Sequence, residues 1–112
     1  MSTNPNSLAG NGFIIDGFSG PTFSMTSSNT AQSIAASKLT LDARSLIGML
    51  VSVDTNNIRG AFGGTAATTL LGHMIYAGGS IQIKGKQNAK TFSFISAVAG
   101  AHGVLHITPY YK

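Results

Sequence analysis

The 112-residue sequence is poor in charge, since Asp, Glu, Lys and Arg make up 9% of it against roughly 25% in an ordinary soluble domain. It contains no glutamate, and its three carboxylate side chains, Asp16, Asp42 and Asp54, leave a formal net charge of +4. The absence of cysteine excludes disulfides, thiolate nucleophiles and cysteine-ligated metals. A surface made mainly of hydroxyls and amides loses little charge solvation when another protein covers it, which suits a subunit of an assembly.

The length fits one domain with a single hydrophobic core. We expect residues 1–11 to form an extended polar arm that lies across a neighbouring subunit in an assembly, and residues 12–112 to form a single β domain. Residues 1–11 lack the basic and apolar regions of a secretory signal. The longest strongly apolar stretch, 46–53, is far shorter than the roughly 20 residues of a membrane helix. We therefore expect a soluble protein without a membrane partner.

The first part of the domain contains two short predicted strands and one ambiguous segment. Residues 13–15 are apolar, and residues 22–26 alternate, with Phe23 and Met25 on one face. Alanines and serines in 31–41 are compatible with a helical turn at its start. For its second half we favour a strand, because alternate residues share an apolar face: Ala35, Ser37, Leu39 and Leu41.

The rest of the chain reads as short strands separated by turns. The run 46–53 predicts a central strand covered on both faces, and further strands are predicted at 58–62, 80–84, 90–98 and 104–110. Turn clusters lie at 54–57, 85–88 and 100–103, with a long connection over 65–79. This spacing predicts an all-β sandwich or barrel rather than βαβ units.

Histidines give the first candidates for a chemical site. His102 and His106 are four residues apart in a predicted strand, which separates them by about 13 Å at roughly 3.3 Å per residue. Zinc–nitrogen bonds are near 2 Å, so the two residues share an ion only if the strand bends at Gly103. We favour exposed or interface histidines and predict no metal and no cofactor.

Catalytic patterns are equally weak in this sequence. His73, Asp54 and one of many serines would make a triad, but no Gly-x-Ser-x-Gly elbow is present. The glycine-rich segment 60–65 is not followed by Gly-Lys-Ser/Thr, so glycines at a strand end explain it better than a phosphate loop does. We therefore expect a protein that is not an enzyme and has no catalytic residues.

Basic residues offer an alternative partner, nucleic acid. Lys84, Lys86 and Lys90 are the only basic residues that are close together in sequence. Single-stranded nucleic-acid binders interleave such residues with aromatic ones on a strand face, whereas Phe92 and Phe94 are better explained as core. We favour lysines that keep a strand edge solvated.

An ordered set of short motifs resembles a group of small virion proteins of tailed bacteriophages. The resemblance covers roughly residues 31–110. It rests on a strand ending in Ile58-Arg59, a Gly-Thr-Ala-x-Thr loop, a Gly-His pair and a following Gly-x-x-Ile strand. The matching segments are 51–59, 63–68, 71–73, 77–81, 92–95 and 104–108. Two departures are Ala67, where proline is often seen, and Gly60-Ala61, where larger residues are usual.

The resemblance implies a compact β domain used as a building block of the virion. It implies a capsid decoration or minor capsid subunit that is made in the host cytoplasm, forms homo-oligomers and binds the major capsid protein or other virion proteins. The candidate loop or interface residues are Arg59, Gly63, Gly64, Thr65, Gly72 and His73. The alternative for these residues is local hydrogen bonding within one subunit.

Two other functions remain open at this point. A tail, neck or fibre-attachment role belongs to the same structural class. A carbohydrate- or cell-surface-binding module is the alternative from another class, because small β-sandwiches host such sites, although the fold alone does not license the function. Its candidate aromatic residues are Tyr76, Tyr110 and Tyr111.

Overall fold

The computed structural model describes residues 17–112, which form two facing antiparallel sheets, as the all-β prediction requires. The arm predicted for residues 1–11 and the strand predicted at 13–15 lie outside the described residues. In chain order the elements are β1 (Phe18–Ser19), β2 (Phe23–Thr26), β3 (Gln32–Ser33), a 3-10 helix (Ala36–Leu39), β4 (Leu46–Asp54), β5 (Ile58–Ala61), β6 (His73–Ile75), β7 (Ser80–Lys84), α1 (Lys86–Thr91), β8 (Ser93–Ser96) and β9 (Val104–Tyr111).

The first sheet has the order β1-β9-β4-β7, and β2 pairs with the same edge of β9 as β1 does. Pro109 explains why two short strands share this edge, since proline has no amide hydrogen to donate to a continuous neighbour. Residues 104–107 of β9 pair with β2 and residues 110–111 with β1, while the Pro109 carbonyl accepts a hydrogen bond from the Gly20 amide at 2.8 Å between them. The second sheet has the order β3-β8-β5-β6.

The core lies between the two sheets. The first sheet contributes alternate residues of β4 and β9, and the second contributes Ile58, Ile75, Phe92 and Phe94. An irregularity in the β4–β9 pairing between Leu46 and Gly48 shifts the alternation, so that both Leu46 and Met49 are buried. The predicted central strand is confirmed, but the expectation that both of its faces are covered holds for one face only. Its inner face is fully buried, whereas its outer face, with Ile47, Leu50 and Ser52, is only half-buried.

Two local predictions are wrong. Residues 36–39 form a 3-10 helix, where a strand was expected over the second half of 31–41; Leu39 is nonetheless buried in the core. Residues 86–91 form helix α1, where a turn and the start of a strand were expected. Side chains at both ends support this helix: the Asn88 amide donates to the Lys84 carbonyl, and the Thr91 hydroxyl donates to the Gln87 carbonyl.

Candidate interaction surface

The six candidate loop or interface residues come together around one loop, residues 62–72, which joins β5 to β6. Arg59 lies on β5 beside the start of β6, and its Nη1 donates to the Gly72 carbonyl at 2.9 Å, thirteen residues further along the chain. His73, the first residue of β6, pairs in register with Gly60. Arg59 therefore fixes the far end of the loop against the strand from which the loop departs.

The middle of the loop is fixed to the outer face of the second sheet. Ala67 packs there with Ala61 and Ile95, and its amide donates to the buried Ser93 hydroxyl at 3.0 Å. Proline has no amide hydrogen, so a proline at position 67 would leave this hydroxyl without its donor. The departure from the resemblance pattern at Ala67 thus has a specific structural role.

The second departure, at Gly60, also has a steric explanation. A Cβ at this position would lie 2.6 Å from the ring of Phe92, which is fully buried in the core. At the other end of the loop, Gly72 has φ +134°, and a Cβ there would lie 3.0 Å from the Gly60 carbonyl oxygen. Close approach of two backbones therefore requires glycine where the loop returns to the sheet.

Gly63 and Gly64 make the turn that leaves β5. Both have positive φ angles, +72° and +84°, and a Cβ on either would meet open space. Their conformation rather than crowding favours glycine. Thr65, which follows them, is exposed, and its amide makes a long hydrogen bond of 3.4 Å to the Phe62 carbonyl.

A tight turn at residues 68–71 displays two leucines. The Thr68 amide donates to the Leu71 carbonyl at 2.9 Å, and the Leu71 amide donates back to the Thr68 carbonyl at 3.3 Å. The Thr68 hydroxyl accepts from the amides of Leu70 and Leu71 at 3.1 and 2.8 Å. These hydrogen bonds hold the turn, which leaves the Leu70 side chain 92% exposed and that of Leu71 53% exposed.

These leucines form the largest part of an exposed apolar area, here called the Leu70 surface, which comprises Phe62, Leu70, Leu71 and His73. The four residues border a groove of about 480 Å³ with Ala61, Thr65 and Gly72. Phe62 is 36% exposed. The centroid of its ring lies 6.2 Å from the ring centroid of His73 and 5.4 Å from that of the buried Phe92. The Leu70 surface is therefore anchored on the core through Phe62.

Two exposed lysines, Lys84 and Lys90, flank the Leu70 surface, and together with the exposed Lys86 of α1 we call them the lysine rim. Phe62 shares a groove of about 310 Å³ with Lys84 and Asn88, and Thr65 shares another of about 270 Å³ with Lys90. Lys86 and Lys90 are four residues apart on α1, which places them on one side of the helix. The loop and α1 thus form a continuous surface with an apolar centre and a basic border.

The tyrosines do not form a shared aromatic platform. Tyr76 is 65% exposed, Tyr110 is half-buried, and Tyr111 is almost fully buried in the core. Burial raises the pKa of both Tyr110 and Tyr111 above the ordinary value of 10.0. Of the three residues proposed for carbohydrate binding, only Tyr76 presents most of its ring to solvent.

A buried polar cluster, the serine junction, links the two sheets at another part of the molecule and comprises Ser27, Ser96, His102 and Gly103. The two serine hydroxyls lie 2.7 Å apart, and the Ser96 hydroxyl lies 2.8 Å from His102 Nδ1. The Gly103 amide donates to the Ser27 hydroxyl, and the Ser27 amide donates to the Gly103 carbonyl. Every hydroxyl has both a donor and an acceptor when neutral His102 accepts at Nδ1.

This serine–histidine contact resembles part of a catalytic triad, but its surroundings are structural. Ser96 has no exposed area and Ser27 has 2%, so the hydroxyls are enclosed by the fold. The carboxylate of Asp54, the acid considered with His73, instead lies 2.9 Å from His106 Nε2 on the solvent-exposed face of β4 and β9. His102 and His106 therefore have different partners. Within residues 17–112, no group of three or more potential metal ligands is brought together.

Sequence reasoning located the loop but missed what the loop displays. Thr68, the residue that holds the turn, gave no signal beyond a hydroxyl preceding two leucines. Ser27 and Ser96 belong to an abundant residue type, and nothing in their spacing indicated that they meet across 69 residues.

Comparison with known proteins gave no match to a protein-family model, a curated protein or a solved structure. In the described part of the chain, no helix combines the length and the apolar character needed to cross a membrane.

Proposed function

We propose that this protein is a structural virion subunit of a tailed bacteriophage, a capsid decoration or minor capsid protein that stabilises the head through protein–protein contacts. The observation that carries the proposal is the Leu70 surface, where apolar side chains are held outward by a hydrogen-bonded turn. Its partners are the major capsid protein or other virion proteins, together with further copies of the same chain.

The energetics of the turn support a contact role. Covering one leucine side chain contributes about 1.5–3 kcal/mol relative to leaving it in water. Because the Thr68 hydroxyl and backbone already order the turn, association would cost little additional backbone entropy there. Leu70 is almost fully exposed in the subunit, so its side chain would contribute the most free energy of burial when a partner covers it.

Composition and sequence pattern support the same proposal. A chain with 9% charged residues exposes mainly hydroxyl, amide and apolar groups, which are readily covered by protein. The ordered motifs from Val51 to Thr108 resemble those of small tailed-phage virion proteins. Arg59, Gly72 and His73, which belong to these motifs, border or brace the Leu70 surface.

The direct test is a mass-spectrometric inventory of purified particles from the source that encodes the chain, with heads and tails separated before digestion. Stoichiometric copies in the head fraction are expected. Copies confined to the tail fraction would replace the head assignment with a tail, neck or fibre-attachment role. A particle inventory without the chain, from a lysate that contains it, would overturn the proposal.

A variant with Leu70→Ser sharpens this test. Leu70 has almost no contact area to lose within the subunit, so the variant should fold normally. Its incorporation should fall several-fold, because the polar side chain removes most of the leucine contribution to the contact. Val98→Ser is the matched control, since Val98 is also exposed, at 64%, but lies away from the loop in a groove with Asn56 and Asn57.

A further inference from the structure

We propose that the partner surface that receives the Leu70 surface is an acidic protein surface surrounding an apolar cleft. This inference rests on the proposed function and specifies the chemistry of the partner. It depends on the position of the lysine rim beside the exposed leucines.

The adjacency is set by two residues of the loop. Phe62 belongs to the Leu70 surface and also borders the groove that contains Lys84. Thr65 borders the leucine groove and also the groove that contains Lys90. A partner that covers Leu70 and Leu71 therefore meets the ammonium groups of β7 and α1 at its edge.

The positive charge of the rim is not cancelled within the described chain. Among residues 17–112, the one ion pair joins His106 to Asp54, and none of the three rim lysines is in an ion pair. All three lysines are exposed, so they remain hydrated in the free subunit. A neutral or basic partner would place like or unpaired charges at the rim, whereas an acidic partner would complement it.

The arrangement favours protein over nucleic acid as the partner. Protein interfaces combine an apolar centre with a polar, solvent-accessible rim. The Leu70 surface with its bordering lysines has the same arrangement. Nucleic-acid binding would use the lysines through phosphate contacts and would leave Leu70 without a function. The two classes therefore differ in how binding depends on the leucines.

The experiment measures association of the full chain with immobilised particles that lack it, at about 20 mM and about 200 mM salt. The test variant is Lys84→Gln, Lys86→Gln and Lys90→Gln combined. The matched control removes the same charge elsewhere with Lys38→Gln, Arg44→Gln and Lys112→Gln. Lys38 and Arg44 contact the rings of Phe23 and Phe18, and neither they nor Lys112 line the grooves that join the Leu70 surface to the lysine rim.

The rim variant should associate about tenfold more slowly than the wild type at low salt, with a small difference at high salt. The charge-matched control should associate within about threefold of the wild type, because its lost charges lie outside the grooves of the Leu70 surface and the lysine rim. Leu70→Ser should mainly raise the dissociation rate, since it acts on the covered centre of the interface.

Three outcomes would overturn the inference, and they are distinguishable. If the wild type binds and the rim and control variants associate at equal rates, the inference that the partner is acidic is overturned. The proposed virion role is unaffected by this result. Binding to short single-stranded or duplex DNA that depends on the lysine rim but not on Leu70 would replace the protein partner with nucleic acid. A wild-type chain that does not bind particles and is missing from their inventory would overturn both proposals.

Discussion

The serine junction and the Leu70 surface invert the usual placement of polar and apolar groups. At the junction, two serine hydroxyls are enclosed, and hydrogen bonds connect them to each other across the two sheets and to the half-buried imidazole of His102. At the loop, leucines are exposed while hydrogen bonds between Thr68 and Leu71 hold the backbone turn. Buried polar groups are tolerated when they are hydrogen-bonded. Exposed apolar groups contribute favourable free energy only when another surface covers them. The serine junction therefore contributes to folding, whereas the Leu70 surface is available for the contact role that we propose.

The largest expected effect tests the contribution of the serine junction to folding. Gly103→Ala should lower the free energy of unfolding by about 3 kcal/mol, because the added methyl would overlap the Asn56 backbone carbonyl and displace the junction. Urea denaturation measures the change. An effect below about 0.5 kcal/mol would mean that the junction can move freely, contrary to the enclosed packing.

Removing a junction hydroxyl should have the next largest effect. Ser27→Ala should cost about 2 kcal/mol, since it leaves the buried Gly103 amide without its acceptor and removes one of the two hydrogen bonds of the Ser96 hydroxyl, which keeps His102. The matched control is Thr22→Val, which breaks a hydroxyl pair of the same 2.7 Å length between Thr22 and Thr108 on the exposed side of β2 and β9.

Because water replaces the lost partner at an exposed site, the control should cost less than about 0.5 kcal/mol. A double-mutant cycle with Ser96→Ala should also be non-additive, since both serines act through one contact. Equal costs for the Ser27 and Thr22 variants would contradict the distinction between the two regions.

A proline in the loop should lower the free energy of unfolding, although much of the loop is exposed. Ala67→Pro should cost about 1–2 kcal/mol, because it removes the amide that donates to Ser93. Combining it with Ser93→Ala should cost less than the sum of the two changes. Full additivity in thermal or urea unfolding would show that the hydrogen bond does not anchor the loop.

Alkaline pH should weaken the end of β9. Burial raises the pKa of Tyr110 and Tyr111 in the folded state, so the unfolded chain loses these phenolic protons first as the pH rises past 10.0. The free energy of unfolding should be fully retained below that pH and should fall above it. Urea titrations from about pH 9 to about pH 11 should show a shallower fall for Tyr111→Phe.

The smallest expected effect on stability belongs to the exposed leucine. Leu70→Ser should change the free energy of unfolding by less than about 0.5 kcal/mol while it reduces particle binding. A loss of stability as large as that of the junction variants would show that Leu70 packs within the subunit, which contradicts its role as a contact residue.

The fold could be predicted from the sequence wherever a strand has one clear buried face. Alternation of Phe23 with Met25 and the apolar run from Leu46 gave strands that the structure confirms. Residues 36–39 and 86–91 were misassigned because a short segment with one or two apolar residues fits a helix or a strand equally well. Tertiary packing of Leu39 and Ala89 decides these two cases.

The candidate surface was predictable in position but not in chemistry. The glycines of residues 60–64 and the Gly72-His73 pair indicated a loop with special backbone requirements, and the loop occurs there. Exposure of Leu70 depends on Thr68 and on Ala67 binding Ser93, which lies 26 residues away in β8. Such long-range contacts leave no local pattern in the sequence.

The most direct test of the central claim, that the Leu70 surface exists to be covered by another protein, is a particle reconstruction that resolves this chain. We expect Leu70 and Leu71 to lie in an apolar cleft of a neighbouring virion protein, with acidic side chains opposite the lysine rim. A chain found in the particle with Leu70 still open to solvent would contradict it.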